Sequence, residues 1–462
     1  MNNTKQYLDQ QEAIQLQNRI VSFMRDFKIG TLLHKNGIRK LRGVSPLTLF
    51  SVIFSLPFEG VNFSKGIVRN SNLGFSKDAA YDFLKNPRYN WRKFMLALAA
   101  IVVRFIDVLT SEEREKVLIF DDSTYDRSRS KAVELLAWIY DHNVGRTLKG
   151  FKLLTLGWSD GNSFLPLDFV LCSSTNEKKR LQGITKEMDK RCCGYKRRLE
   201  AMAKSTGHLE AMVKRAISAG IEADYILMDS WFCFPVILAT LGQHLPVICM
   251  AKDMKTVLYQ YKGQRVRLSK LYSLLRKRPG KAKILTSAVV ETKLGQKVKI
   301  VFVRNRNKKR QWLAIISTDT SLANEAIVRI YGKRWDIEVF FKMMKHYLNL
   351  ERETQLRDYD GMVAHITIAM SRYIFLSFEQ RNHEDPRTLG SLFFACSDEM
   401  EDLSLVEALQ RILSLAMEKI RSAGIVAEDI ALSLVDSIMS IAIDMIQTGQ
   451  RLLRNSSAVT GH

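Results

Sequence analysis

Two short apolar runs that end in acids constrain this chain more than any other feature. KVLIFDDST (116–124) carries Val117 to Phe120 into Asp121 and Asp122, and ADYILMDS (223–230) carries Tyr225 to Met228 into Asp229. Such runs are too short for ordinary helices and read as buried strands. Each would deliver a carboxylate at its end.

The rest of the chain can be ordered around them. Residues before about 110 read as helical, with start signals at Ser45 and Ser76. GFKLLTLGWSDGNSFLPLDFVLCSS (150–174) reads as two strands around a turn at Ser159 to Asn162. A very basic stretch from about Asn176 to Ala219 reads as helix, and its Lys178–Lys204 part is expected to meet a DNA backbone. WFCFPVILATLGQ is expected to be helical and LPVICMAK to be a strand. Residues 253–318 alternate and are rich in Val, Ile, Lys and turn residues, so they read as β-rich. With 253–310 set aside, the order is three strands, helix, strand, helix, strand, helix. That order, with acids at two strand ends and on the last helix, is an α/β, ribonuclease H-like layout by fold-level analogy. The expected organisation is a helical, DNA-binding region at 1–112 and a catalytic domain at 113–350 with a β-rich insertion at 253–310. A helical acidic region at 351–462 would serve dimerisation.

Charge narrows the partner. The 462 residues carry a net charge of +22. Residues 351–462 hold 10 Lys and Arg against 17 Asp and Glu, which leaves 60 against 31 in the first 350. A basic body suggests a polyanion, with double-stranded DNA the first choice. No stretch reads as transmembrane, and the polar N-terminus lacks an apolar signal region. A cytoplasmic protein with no membrane partner is expected. The six cysteines include no CxxC pair, so neither a zinc site nor a disulfide framework is expected.

YGKRWDIEVFFKMMK (331–345) then supplies the third acid. On one continuous helix, Tyr331, Arg334, Glu338 and Lys345 would share an edge, within an arc of roughly 60°. Ile330, Ile337, Phe340, Phe341, Met344 and Leu348 would form the buried stripe beside it. Three carboxylates from separate elements suit two divalent ions and an in-line attack on phosphorus. Arg334 and Lys345 would meet phosphates, and Tyr331 could donate to a phosphate or stack on a base. Trp231 and Trp335 are candidate stacking surfaces for an unpaired base, although a core position is preferred for both.

Tyr331, Arg334, Glu338 and Lys345 match the pattern Y-x2-R-x3-E-x6-K at every position. Together with DDST and MDSW, in that order, they make residues 115–350 resemble the DDE-type transposases of bacterial insertion sequences, in the IS-four group. The resemblance implies an enzyme that cuts at the ends of its own element and joins them to target DNA. It implies Mg2+, with Mn2+ as a substitute, and a homodimer on paired ends. It makes Asp229 the second catalytic acid and metal ligand, Glu338 the third, and Tyr331, Arg334 and Lys345 DNA contacts. The first acid is either Asp121 or Asp122, since both fit Asp, any residue, Ser or Thr. Adjacent strand residues face opposite ways, so only one can join the cage. Asp122 is preferred, because D-S-T is the commoner-looking form. The alternatives are another ribonuclease H-like nuclease and an inactive or domesticated DNA-binding protein.

Overall fold

The structure, a computed structural model, describes residues 19–382 apart from 71, 111–112, 142–144, 280–281 and 306–310. The acidic segment from 383 onward, where most of the expected dimerisation region falls, lies outside the described residues.

Five helices open the described chain: α1 (Arg19–Asp26), α2 (Ile29–Lys35), α3 (Pro46–Ser55), α4 (Lys77–Lys85) and α5 (Trp91–Val108). Both expected start signals are caps. The Ser45 hydroxyl accepts from the Thr48 amide at 3.1 Å, and that of Ser76 accepts from the Ala79 amide at 3.3 Å. Asn86-Pro87 separates α4 from α5, because a residue before proline is driven out of the helical region. Asn90 then caps α5 through the Lys93 amide.

The strands follow as β1 (Val117–Asp126), β2 (Ala137–Asp141), β3 (Arg146–Ser159) and β4 (Phe164–Cys172), then β5 (Tyr225–Met228) and β6 (Val247–Ala251). Further along are β7 (Tyr259–Tyr261), β8 (Gln264–Val266), β9 (Ile284–Glu291), β10 (Lys297–Arg304) and β11 (Trp312–Ser317). All belong to one mixed sheet in the order β3-β1-β5-β6-β11-β10-β9-β7-β8, with β2 and β4 both paired to β3. β1 is antiparallel to β3 and parallel to β5, and β5 is parallel to β6. The β-rich stretch does not stand apart: β11 pairs with β6, so the later strands extend the same sheet.

The remaining helices are α6 (Cys193–Ala201), α7 (Leu209–Ser218), α8 (Pro235–Leu241), α9 (Leu268–Leu274), α10 (Asn324–Gly332), α11 (Trp335–His346) and α12 (Tyr359–Asn382). The long basic helix expected from Asn176 to Ala219 is interrupted. Only a short 3-10 turn at Glu177–Lys179 precedes α6, with non-helical chain between. Its charges are also divided. Lys178, Lys179, Lys190 and Arg191 are exposed, but Arg197 and Arg198 are buried against Asp360 and Glu134. The latter two hold the body together and are not a DNA-facing surface.

α12 explains why the boundary drawn after residue 350 does not separate two bodies. It is mostly apolar and buried almost throughout, the behaviour of a central helix, with its few buried charges paired. It is also the one helix among the described residues that is long and apolar enough to cross a bilayer. On one side Phe375 packs against Phe23, Phe54 and Phe58 of the N-terminal helices and the turn after them. On another, Tyr373 meets Phe164 of β4 and Phe340 of α11. Arg372, fully buried, donates to the carbonyls of Ile53 and Phe54 and to both Glu353 oxygens, at 2.6 and 2.8 Å. His365 reaches Glu353 at 2.7 Å. One buried carboxylate therefore helps lock the N-terminal helices to the sheet.

Burial alone would push the Glu353 carboxyl up, but Arg372 and His365 outweigh it and hold it at about 2, below its ordinary 4.5. A lowered folded pKa means the stabilisation is in place above about 4.5 and is lost as pH falls toward 2. Glu353→Gln leaves Arg372 buried without its counter-charge and should cost about 3–5 kcal/mol at neutral pH. In denaturant unfolding, the gap from wild type should narrow as pH falls through that window. An equal gap at pH 7 and pH 3 would contradict this account of the buried pair.

Candidate active site

The first two acids meet because of how β1 and β5 pair. The parallel register ends at Phe120 opposite Met228, and Asp121 and Asp229 are the next residues on each side. Opposed residues of a parallel pair point to the same face, so both carboxylates project from the same place on the sheet.

Asp121 and Asp122 go opposite ways. Asp121 is paired in register with Thr155 and accepts from Arg334 Nη1 at 3.3 Å. Asp122 turns to the other face, where Lys152 of β3 donates to it at 3.1 Å. Asp121 is thus the member of the pair that shares a face with Asp229. Burial pushes the Asp121 carboxyl up to about 7, the Asp229 charge adds to the rise, and Arg334 opposes it. Burial also raises Asp229 and the Asp122 charge adds to the rise, against the backbone N–H of Trp231, which donates to it at 2.9 Å, and the charge of Arg334. Two poorly hydrated carboxylates this close call for positive charge.

Glu338 arrives on the same face through α11. Gly157 on β3 leaves room for the Phe164 ring, since a Cβ there would lie 2.0 Å from it. Phe164 in turn packs on Phe340 of α11 with ring centres 5.1 Å apart. The whole expected apolar stripe, from Ile330 to Leu348, is buried. Three polar contacts fasten the start of α11 to the sheet. Lys333 pairs with Glu115 just before β1, Arg334 with Asp121, and Asp336 accepts from the Ser159 hydroxyl at 2.6 Å. Lys333, Asp336 and Ser159 carry no sequence signal that would have singled them out.

Those contacts break the helix that the sequence suggested. α10 ends at Gly332 and α11 begins at Trp335. Across the joint, the amides of Lys333, Arg334 and Asp336 bond three residues back, to Ile330, Tyr331 and Lys333. From this tighter turn Lys333 reaches Glu115 and Arg334 reaches Asp121. Glycine at 332 weakens the helix where it gives way.

The four residues of the expected edge are consequently divided. Arg334 Nη2 donates to Glu338 at 2.8 Å while Nη1 holds Asp121, so one guanidinium bridges the first and third acids. Tyr331 is only 8% exposed, with its ring centre 6.0 Å from that guanidinium. Its hydroxyl has no hydrogen-bond partner among the described residues, and burial raises its pKa. Lys345 lies about 10 Å further along α11 by helix rise, and pairs with Glu351 at 3.5 Å. Trp231 and Trp335 are 52% and 63% exposed. The preferred core position is therefore wrong for both, which lie respectively two residues after Asp229 and three before Glu338 in the chain.

The donor chemistry of Asp121, Asp229 and Glu338, all hard oxygen, suits a magnesium-type ion. As arranged, no three His, Cys, Asp or Glu side chains among the described residues are gathered closely enough to hold one. Arg334 stands between two of the acids instead.

No curated protein matches this chain. A family model described as "DDE superfamily endonuclease" matches residues 65–300, half of the chain, and includes Asp121, Asp122 and Asp229. A second, described as "Archaeal putative transposase ISC1217", matches residues 283–379 and includes Tyr331, Arg334, Glu338 and Lys345. Both matches and the paired acids lead to one conclusion: the chain belongs to the DDE superfamily of endonucleases and is of the transposase type.

Proposed function

We propose that this protein is a metal-dependent transposase that cleaves DNA at the ends of its own insertion sequence and joins them to a target. Asp121, Asp229 and Glu338 form its acidic triad. The observation that carries this reading is the register that sets Asp121, within β1, beside Asp229, just after β5, with Arg334 joining Asp121 to Glu338 of α11. The order β4-β3-β1-β5-β6, with β1 parallel to β5 and β5 to β6, supports a ribonuclease H-like core. The matched Y-x2-R-x3-E-x6-K spacing supports the IS-four group. Asp121 replaces Asp122 as the first acid in this reading, because Asp122 is committed to Lys152 on the opposite face.

The roles follow from position. Divalent ions, Mg2+ or Mn2+, would supply a charged nucleophile and stabilise the leaving oxygen of the phosphodiester. Asp121, Asp229 and Glu338 would hold them. Tyr331, whose hydroxyl is buried with no partner among the described residues, would have to turn outward to donate to a phosphate oxygen or a base. Arg334 offers a planar fork to a phosphate, and Lys345 a point charge further along the strand. Trp231 and Trp335 offer exposed faces to an unpaired base, which suits a substrate whose end is opened during cutting. Two copies on paired DNA ends complete the reading.

The test is cleavage of a duplex carrying the DNA that flanks the gene, with and without Mg2+. Asp121→Asn, Asp229→Asn and Glu338→Gln should each lower metal-dependent cutting at least ~100-fold, while Asp122→Asn should keep most of it. If Asp122→Asn abolishes cutting and Asp121→Asn does not, the triad is misassigned. Equal cutting by wild type and Asp229→Asn would sink the site altogether.

Binding separates the tryptophans from the acids. Replacing Trp231 or Trp335 with Ala should weaken binding to DNA with an unpaired end by about 1–3 kcal/mol each. Fully paired DNA should bind as before, measured by fluorescence anisotropy. A uniform loss on both DNAs would mean the rings do not stack on bases.

A further inference from the structure

We infer that Arg334 is a stand-in cation: it occupies the gap between the first and third acids in DNA-free protein, and must leave it before a divalent ion can enter. The inference rests on the proposed triad and extends it to the order in which DNA and metal bind.

The geometry has three parts. One guanidinium spans Asp121 at 3.3 Å and Glu338 at 2.8 Å, so both acids direct an oxygen at nitrogen. No three acidic, His or Cys side chains among the described residues form a cage in this arrangement. The third part is freedom to move. The Arg334–Glu338 pair lies within one helix, and the Glu338 side chain is 42% exposed, so Glu338 can turn without unpacking α11. Arg334 emanates from the tightened turn between α10 and α11, not from the middle of a rigid helix.

A guanidinium and a divalent ion cannot share this gap, because like charges would meet where only two carboxylate groups are available. A phosphodiester at the mouth of the site offers Arg334 a bidentate anionic partner in place of its single contacts to two acids. DNA would therefore draw the guanidinium off the acids and open the cage, so DNA and metal would bind with positive coupling. Linkage requires the coupling to be equal in both directions. A protein built this way holds little metal when free, and assembles its cutting site on DNA. The opposing idea is that Arg334 simply positions Glu338 and stays in place when metal binds. The two ideas predict opposite signs for the same variant.

The experiment is Mn2+ binding to the full chain without DNA, read from the electron paramagnetic resonance signal of free Mn2+. Arg334→Gln should bind Mn2+ more tightly than wild type, by about tenfold or more. Arg334→Lys, which keeps the charge but cannot fork, should shift affinity in the same direction by less. It also serves as the second variant should Arg334→Gln fold poorly, as judged by thermal melting. Adding Asp229→Asn to Arg334→Gln should cancel the gain, which places the ion among these acids. Duplex with the gene's flanking sequence should raise wild-type affinity toward that of Arg334→Gln. Equal or weaker Mn2+ binding by Arg334→Gln overturns the stand-in role and leaves the triad intact. If no form binds Mn2+ with or without DNA, the triad itself is wrong and the inference goes with it.

Discussion

The candidate site depends on β1 having an antiparallel neighbour on one side and a parallel one on the other. β3 returns antiparallel to β1 after the chain has passed through β2, and β4 follows β3 across a tight turn at Asp160 to Asn162. β5 can pair in parallel only after the chain has crossed back through α6 and α7. That return brings Asp229, just past the carboxyl end of β5, level with Asp121 in the middle of β1. Ligands of open α/β sheets are commonly bound in that region.

Placing carboxylates together in a poorly hydrated cleft is costly, and the structure shows what offsets the cost. Arg334 bridges two of them and lies near Tyr331, and the Trp231 amide serves the other. Asp336 and Glu338 sit in the first turn of α11, where the helix dipole favours negative charge. The joint between α10 and α11 is part of this arrangement. From it Lys333 reaches Glu115 and Arg334 reaches Asp121, before and within β1.

α12 gives the site its rigidity from behind. It binds α11 through Tyr373 and Phe340, and the N-terminal helices through Phe375 and the Arg372–Glu353 pair. The N-terminal helices are thus part of the same body as the sheet, whatever DNA contacts their exposed basic residues make.

Short apolar runs, cap residues and acid positions were legible in the sequence because each rests on local chemistry. Ser45 and Ser76 cap helices through their own neighbours' amides, and Val117 to Phe120 can only be buried. The tertiary structure decided what depends on neighbours distant in the chain. Asp121 and Asp122 look alike in sequence, and only the register of β1 against β3 and β5 shows which one shares a face with Asp229. Trp231 and Trp335 could have been core or surface, and packing left them outside. The same holds for Arg197 and Arg198, which read as part of a basic surface but find buried acids at 134 and 360. Local sequence sets which conformations and charges are available, whereas the direction and partner of a side chain are set by chain returning from far away.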